Sequence, residues 1–314
     1  MHTTWKPNHV VVIGAGAMGC LFGGLLHEGG LKVTLVDIWR EHVDAINRNG
    51  LRILGHGGDR SVFVRATTKP TEVERADVVL VQCKAFHTTE AVRQAASIFG
   101  KDTVAISFQN GLGNEEAIGE VVGIERVLGG LTVRAGSVVE PGVIRNYSDL
   151  PTYVGELTGG ISPRAELIGA AFSQAGLKTK ASENIVRELW KKLLINVGVS
   201  ASSAVTGVSV RDALSVPELL EIALEAVDEA AAVGKAAGVE LDANATREML
   251  SQITGEGGTS ENRSSMCVDL LNKRRTEIDF INGAVVRLGR TYGIPTPVNK
   301  ALVAVVKGLE RTFT

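Results

Sequence analysis

Residues 10–19 read Val10-Val11-Val12-Ile13-Gly14-Ala15-Gly16-Ala17-Met18-Gly19, an apolar, β-branched run that enters a glycine-rich turn. A helix-like segment over 20–26 follows. Gly14, Gly16 and Gly19 fit G-x-G-x-x-G, with the strand before and the helix after that this motif needs. Gly14 allows a tight turn, Gly16 lets the backbone approach a pyrophosphate, and Gly19 lets the helix pack closely on the strand. The helix start offers free N–H groups to the phosphates. With 36 glycines in 314 residues the spacing alone arises by chance, so the flanking elements carry the reading. Gly14, Ala15, Gly16, Ala17, Met18 and Gly19 are the candidate dinucleotide contacts, and a purely structural turn is the alternative.

Residues 32–36 form a second β run that ends at Asp37. That is about 20 residues after the turn, where a Rossmann site places the group that meets the adenosine ribose. An acid there accepts hydrogen bonds from a free 2′-hydroxyl and repels a 2′-phosphate, which argues for NAD. Arg40 can reach a phosphate and argues for NADP. A solvated acid at a helix start is the plain alternative for Asp37. Residues 41–48 read as a helix, and 51–64, with Gly55, Gly57 and Gly58, as a hairpin. Residues 76–82 read as a buried parallel strand ending at Cys83-Lys84-Ala85, and 103–108 as another ending at Gln109-Asn110-Gly111. Ligands in doubly wound sheets lie beyond the carboxyl ends of the strands, so Gly14, Asp37, Lys84 and Asn110 fall on one ligand-facing edge. Shorter strands follow over 127–133, 143–147 and 153–154. Ser162-Pro163 opens a helix, with serine as N-cap and proline in its first turn.

The chain is long enough for two cores. Hydrophobic residues make up 44% and charged residues 22%, which fits a globular protein and excludes a disordered one. A net charge of −2 gives no electrostatic case for nucleic acid or a membrane surface. Cys20, Cys83 and Cys267 are odd in number and far apart, so neither a disulfide framework nor a metal site is suggested. The first seven residues contain no apolar leader core, and no apolar run approaches bilayer length, so a cytoplasmic protein is expected.

From about residue 181 the texture changes to long helical periods. Over 184–205 the apolar positions recur at helical spacing, and Lys192, Asn196 and Ser200 form an i, i+4, i+8 line on one face. Such a line is costly if buried without partners, and a polar stripe facing water is the alternative. Helices are expected over 217–238, whose acidic residues read as a solvated surface, and over 243–254. A polar loop, Thr259-Ser260-Glu261-Asn262-Arg263-Ser264-Ser265, precedes a short helix. Thr276-Glu277-Ile278-Asp279 resembles a capping box that opens a helix over 277–291, with Glu277 in its first turn.

Taken together, the chain resembles the ketopantoate reductase (2-dehydropantoate 2-reductase) family, over nearly its whole length. The resemblance rests on the glycine motif, Cys83-Lys84-Ala85, Gln109-Asn110-Gly111, Leu189-Trp190-Lys191-Lys192-Leu193-Leu194-Ile195-Asn196, Ser264-Ser265-Met266 and Thr276-Glu277-Ile278-Asp279-Phe280-Ile281-Asn282-Gly283. It implies that Lys192 is the catalytic lysine, that Asn196 and Ser265 bind substrate, and that Lys84, Asn110, Ala135 and Glu277 line the nicotinamide end of the cofactor. Two departures stand out. Ser200 occupies the position of a second substrate-binding asparagine, and Val210 that of a later one. Asp37-Ile38-Trp39-Arg40 replaces the arginine that commonly follows the second strand in NADP-preferring members.

The expected fold is an α/β N-terminal Rossmann domain with a mostly parallel doubly wound sheet (1–181) and an all-α C-terminal domain (182–314), with a site in the cleft between them. The expected function is NAD(P)H-dependent reduction of 2-dehydropantoate to pantoate, a step towards pantothenate. Substrate contacts are expected from Lys192, Asn196, Ser200, Asn262 and Ser265. The resemblance implies NADP(H), while Asp37 leaves NAD(H) open. The expected partner is a small 2-oxo acid, without nucleic acid, membrane or metal, and a homodimer is left open. Rival readings are a reductase of another branched 2-oxo acid, an opine-type dehydrogenase, and a non-catalytic NAD(P)-binding redox sensor.

Overall fold

The computed structural model describes residues 5–253 and 262–313. The first four residues, the end of the helix expected to reach Thr254, and Thr259, Ser260 and Glu261 of the polar loop lie outside the described residues. The chain divides into two compact units. One holds the described residues up to Gln109 with Asn114–Ile185; the other holds Asn110–Gly113 with the described residues from Val186 onward.

In the first unit strands and helices alternate: β1 (His9–Ile13), α1 (Ala17–Glu28), β2 (Lys32–Val36), α2 (Arg40–Asn49), β3 (Leu51–Gly55), β4 (Arg60–Val62), β5 (Arg65–Thr67) and β6 (Ala76–Val81). Then come α3 (Thr88–Gln94), β7 (Phe99–Ser107), α4 (Asn114–Val122), β8 (Val127–Thr132), β9 (Gly136–Glu140), β10 (Val143–Asn146), β11 (Thr152–Gly155), α5 (Pro163–Gln174) and β12 (Thr179–Ala181). The main sheet runs β12-β11-β8-β7-β6-β1-β2-β5 and is parallel except where β11 meets β8.

β1 is central, between β2 and β6, which is why its run is apolar throughout. Val10 and Val12 face one core with Phe22, Leu26 and Leu35; Val11 and Ile13 face another with Val79, Val92 and Ile118. Helices therefore cover both faces of the sheet. The N-cap of α5 forms as expected: Ala165 N–H donates to Ser162 Oγ at 3.3 Å.

The segment expected as a hairpin is one half of a second sheet. β3 and β4 pair antiparallel, but β3 also pairs parallel with β10, giving the order β4-β3-β10-β9. That pairing joins residues about ninety positions apart in the chain, so no local pattern announces it.

The second unit is helical: α6 (Ile185–Thr206), α7 (Val210–Leu214), α8 (Pro217–Ala236), α9 (Ala243–Ile253), α10 (Ser265–Leu271), α11 (Asn282–Tyr292) and α12 (Pro297–Glu310). Its core joins Leu193, Leu194 and Val197 of α6 to the small residues Ala223, Ala226 and Ala230 of α8, which let the helices approach closely. Among the described residues no helix is long and apolar enough to cross a membrane.

Two readings of the helical half need correction. The helix expected from Glu277 starts at Asn282, and the capping box does not form. The Thr276 backbone N–H and hydroxyl both donate to Glu310 Oε1 at 2.7 Å, so a distant carboxylate takes the place of Asp279. The Phe280 and Ile281 N–H groups fold back onto the Glu277 carbonyl as a separate turn. Nor are all acids of α8 solvated. Glu229 accepts from Val298 N–H at 2.8 Å, and from Asn299 N–H at 2.9 Å, and so caps α12. A helix start with open donors draws a carboxylate from wherever the fold supplies one.

Candidate active site

In the first unit the glycine turn is built as its composition requires. Gly14 adopts φ +98°, and its N–H donates to the Val36 carbonyl at 2.8 Å. A Cβ on Gly14 would lie 2.3 Å from Cys83 N, and one on Gly19 would lie 1.9 Å from the Gly14 carbonyl oxygen. Both glycines are thus consumed by internal packing. Gly16 differs: a Cβ there would meet nothing within 4 Å. The third role of a dinucleotide turn, backbone open to a phosphate, fits that position.

Asp37 is part of the same turn. Its Oδ2 accepts the Ala15 N–H at 2.7 Å and its Oδ1 the Trp39 N–H at 2.9 Å. The carboxylate is therefore fixed rather than free in solvent, and it joins the end of β2 to the turn after β1. Arg40 is exposed at the start of α2. Lys84 follows the Cys83 backbone on which Gly14 packs, and is half-buried. Gln109, quoted above only within a motif, braces that stretch: its Nε2 donates to the Cys83 carbonyl at 2.6 Å and to Thr88 Oγ1 at 2.9 Å. Ala135 is exposed just before β9, whose first residue, Gly136, lies beside Ala17 and Met18. Gly14 through Gly19, Asp37, Lys84 and Ala135 are thus gathered around one turn, and Arg40 stands at its edge.

In the second unit Lys192, Asn196 and Ser200 lie on α6 at one-turn spacing. Lys192 and Asn196 are half-buried, while Ser200 is buried. Burial pushes the Lys192 amine down to about 8, and the Glu277 charge pulls it back up. Lys191, next in the chain, is exposed and pairs with Glu188 at 2.8 Å. The two neighbouring lysines therefore have opposite surroundings, because a helix turns 100° per residue.

Glu277, buried at the start of the 277–281 turn, reaches the neighbourhood of Lys192. The segment holding Asn110 is tied to the same stretch: the Leu112 N–H donates to the Phe280 carbonyl at 2.9 Å. Asn262 and Ser265 are exposed at the start of α10. Ser264, between them, was given no role of its own by sequence. It caps α10, and its hydroxyl donates to the Ser200 carbonyl at 3.1 Å while its N–H donates to Ser203 Oγ at 3.2 Å. The Asn262 carbonyl accepts the Val210 N–H at 3.2 Å. The described part of the loop before α10, residues 262–264, is therefore docked beside the end of α6 that carries Ser200. Its only signal in the sequence was the run of serines.

The first unit can hold a dinucleotide on open backbone, and the second can present a desolvated amine to a polar substrate. Comparison with known proteins gives the family. Residues 10–159 match the profile of the family described as Ketopantoate reductase PanE/ApbA, and residues 184–310 match its C-terminal part. The 2-dehydropantoate 2-reductase of Pyrococcus abyssi is 34% identical over 302 residues, covering 96% of this chain and 97% of that protein. Among solved structures, D-mandelate dehydrogenase with NADH and anilino(oxo)acetate superposes with a TM-score of 0.91 at 27% identity, covering 97% of this chain and 99% of that one. The PanE/ApbA family ketopantoate reductase from Ralstonia eutropha JMP134 gives 0.89 at 30%, with the same coverage.

Proposed function

The chain belongs to the ketopantoate reductase family, and from that premise we propose that it reduces the ketone of 2-dehydropantoate to the alcohol of pantoate, with NADH or NADPH as reductant. The observation that carries the reading is the pair of lysines at the head of the α6 line: Lys192 desolvated near Glu277, Lys191 in water.

Gly14–Gly19 and Asp37 would hold the dinucleotide, which when bound would supply the hydride. As hydride reaches the ketone carbon, the Lys192 ammonium stabilises the charge that develops on the oxygen and then gives that oxygen its proton, leaving the alcohol and a neutral amine. A pKa near 8 suits this work, since the amine is mostly charged at neutral pH and releases its proton at little cost. The Glu277 charge keeps the ammonium form available despite burial. Asn196, one turn on, orients the substrate, and the docked loop offers Asn262 and Ser265 to its polar end.

For the cofactor we favour NADH. Asp37 is pinned by two backbone N–H groups, so it cannot swing aside to admit a 2′-phosphate, and the exposed Arg40 does not replace it. A second reading concerns the substrate. Ser200 and Val210 depart from the family pattern, and the superposed D-mandelate dehydrogenase is described with NADH and anilino(oxo)acetate. A 2-oxo acid bulkier than 2-dehydropantoate, reduced with NADH, fits those features. Absorbance at the nicotinamide band, with purified protein and a panel of 2-oxo acids against NADH and then NADPH, tests both readings. Turnover of no 2-oxo acid with either cofactor would refute them, and tight binding without turnover would point to a sensor.

A further inference from the structure

The peptide group between Ala15 and Gly16 lies in the middle of the glycine turn, and its carbonyl is held from below. Ala15 O accepts from Cys20 Sγ, 3.0 Å away. Cys20 Sγ lies 3.3 Å from His42 Nε2, and the opposite ring nitrogen, Nδ1, lies 3.0 Å from the Gly142 backbone nitrogen. Cys20 and His42 are both 0% exposed, so each polar atom must find its partner inside the protein.

One fixed donor sets the direction of the whole chain of bonds. A backbone N–H can only donate, so Nδ1 carries a lone pair and the ring proton sits on Nε2. Nε2–H then donates to Sγ, and the thiol proton goes to the Ala15 carbonyl. Burial keeps the thiol protonated by raising its pKa, and the Asp37 charge adds to that effect. Burial also lowers the His42 pKa, against the opposing pulls of Asp37 and the Ala15 carbonyl, so the ring is neutral at pH 7. Trp39 stacks on the ring at 4.9 Å and 14°. Gly142 belongs to the turn between β9 and β10, and its carbonyl accepts the Arg52 N–H of β3 at 2.9 Å. The second sheet is thereby wired to the turn after β1.

We propose that Cys20 and His42 are positioning residues for dinucleotide binding, a relay from Gly142 N–H through His42 and Cys20 to the Ala15 carbonyl that aims the 15–16 peptide. That peptide is planar and trans, so its carbonyl and its N–H point in opposite directions. Fixing the carbonyl towards the buried relay turns the Gly16 N–H away from it, ready for a phosphate oxygen at the one glycine left open. Asp37 holds the other side of Ala15 through its N–H. The inference rests on the dinucleotide reading of the turn.

The test is the dissociation constant for NADH, measured by calorimetry on the full chain, beside kcat and KM. His42→Phe keeps a ring against Trp39 but removes both nitrogens, and Cys20→Ala removes the middle of the relay. Each is expected to raise the NADH Kd about five- to tenfold, as loss of one buried hydrogen bond would. Turnover at saturating NADH should stay within about twofold, because the lost interaction is made equally in ground and transition states. Cys20→Ser, whose hydroxyl can both accept and donate, should recover most of the affinity. Folded His42→Phe and Cys20→Ala proteins that bind NADH as wild type does would overturn the proposal. So would Cys20→Ser binding as weakly as Cys20→Ala. Nitrogen-15 shifts of His42 in the unaltered protein need no variant to fold: a proton on Nε2 alone is expected, and a proton on Nδ1 at pH 7 overturns the relay. If the wild type binds neither NADH nor NADPH, the reading of the turn fails first, and the inference with it.

Discussion

Lys192 and Asp37 carry the sharpest single-residue expectations. Removing a positioned acid lowers rate by about 10²–10⁴-fold. Lys192→Ala should therefore cut turnover by that order, while NADH affinity stays near wild type because the glycine turn is untouched. Lys191→Ala should be nearly silent, since it removes only an exposed pair with Glu188, of a kind that contributes about 0–1 kcal/mol. The Lys192 amine titrates at about 8, and the acid form is the active one for reduction. The kcat/KM for reduction should thus be flat at lower pH and fall as pH rises through about 8; a profile that rises there would assign the proton to another group. At Asp37, alanine would also release the Ala15 N–H, so Asp37→Asn is the cleaner change: it keeps an acceptor and removes the charge. The ratio of NADPH to NADH efficiency should increase in Asp37→Asn, and an unmoved ratio would make Asp37 a brace for the turn and nothing more.

At the level of elements, the three glycines of the turn separate into distinct roles. Gly19→Val drives side-chain atoms into the Gly14 carbonyl and should compromise folding itself. Gly16→Ala adds a methyl group to open space, so the protein should melt as wild type does yet bind NADH more weakly, by about tenfold or more where that methyl meets phosphate. Parallel calorimetric titration and thermal melts separate the two effects. On α6, Ser200 is buried where the docked loop meets the helix, with Ser264 bonded to its carbonyl. Ser200→Asn should raise efficiency on 2-dehydropantoate relative to bulkier 2-oxo acids, with a stability loss of about 1–3 kcal/mol from added volume. An equal change on every substrate would make Ser200 a support for the loop.

Across the whole molecule, periodicity made most elements legible, and contacts between distant segments did not show. The run Val10–Ile13 was legible as a strand because a β-branched apolar run stops at a glycine turn, and its pairing with β2 and β6 makes it central. β2 was read with its true ends, since its apolar run stops where Asp37 meets the glycine turn. The one-turn line of Lys192, Asn196 and Ser200 was equally legible, since helical spacing fixes which side chains share a face whatever the helix packs against. The sequence by itself determined the glycine turn, most of the strands and long helices, and the one-turn spacing on α6, all consequences of local sterics and of the periods 2 and 3.6. The short α3, α4 and α7 and strand β9 went unread. Only the tertiary structure decided that β3 pairs with β10, that Glu310 rather than Asp279 satisfies Thr276, and that Glu229 caps α12. The same holds for Gly142, His42 and Cys20 meeting beneath Ala15. Each of these matches a buried donor to an acceptor tens of residues away or more, or to one on a separate element. Burial demands that such a partner exist, but the demand carries no sequence distance, so only the folded chain says which group answers it.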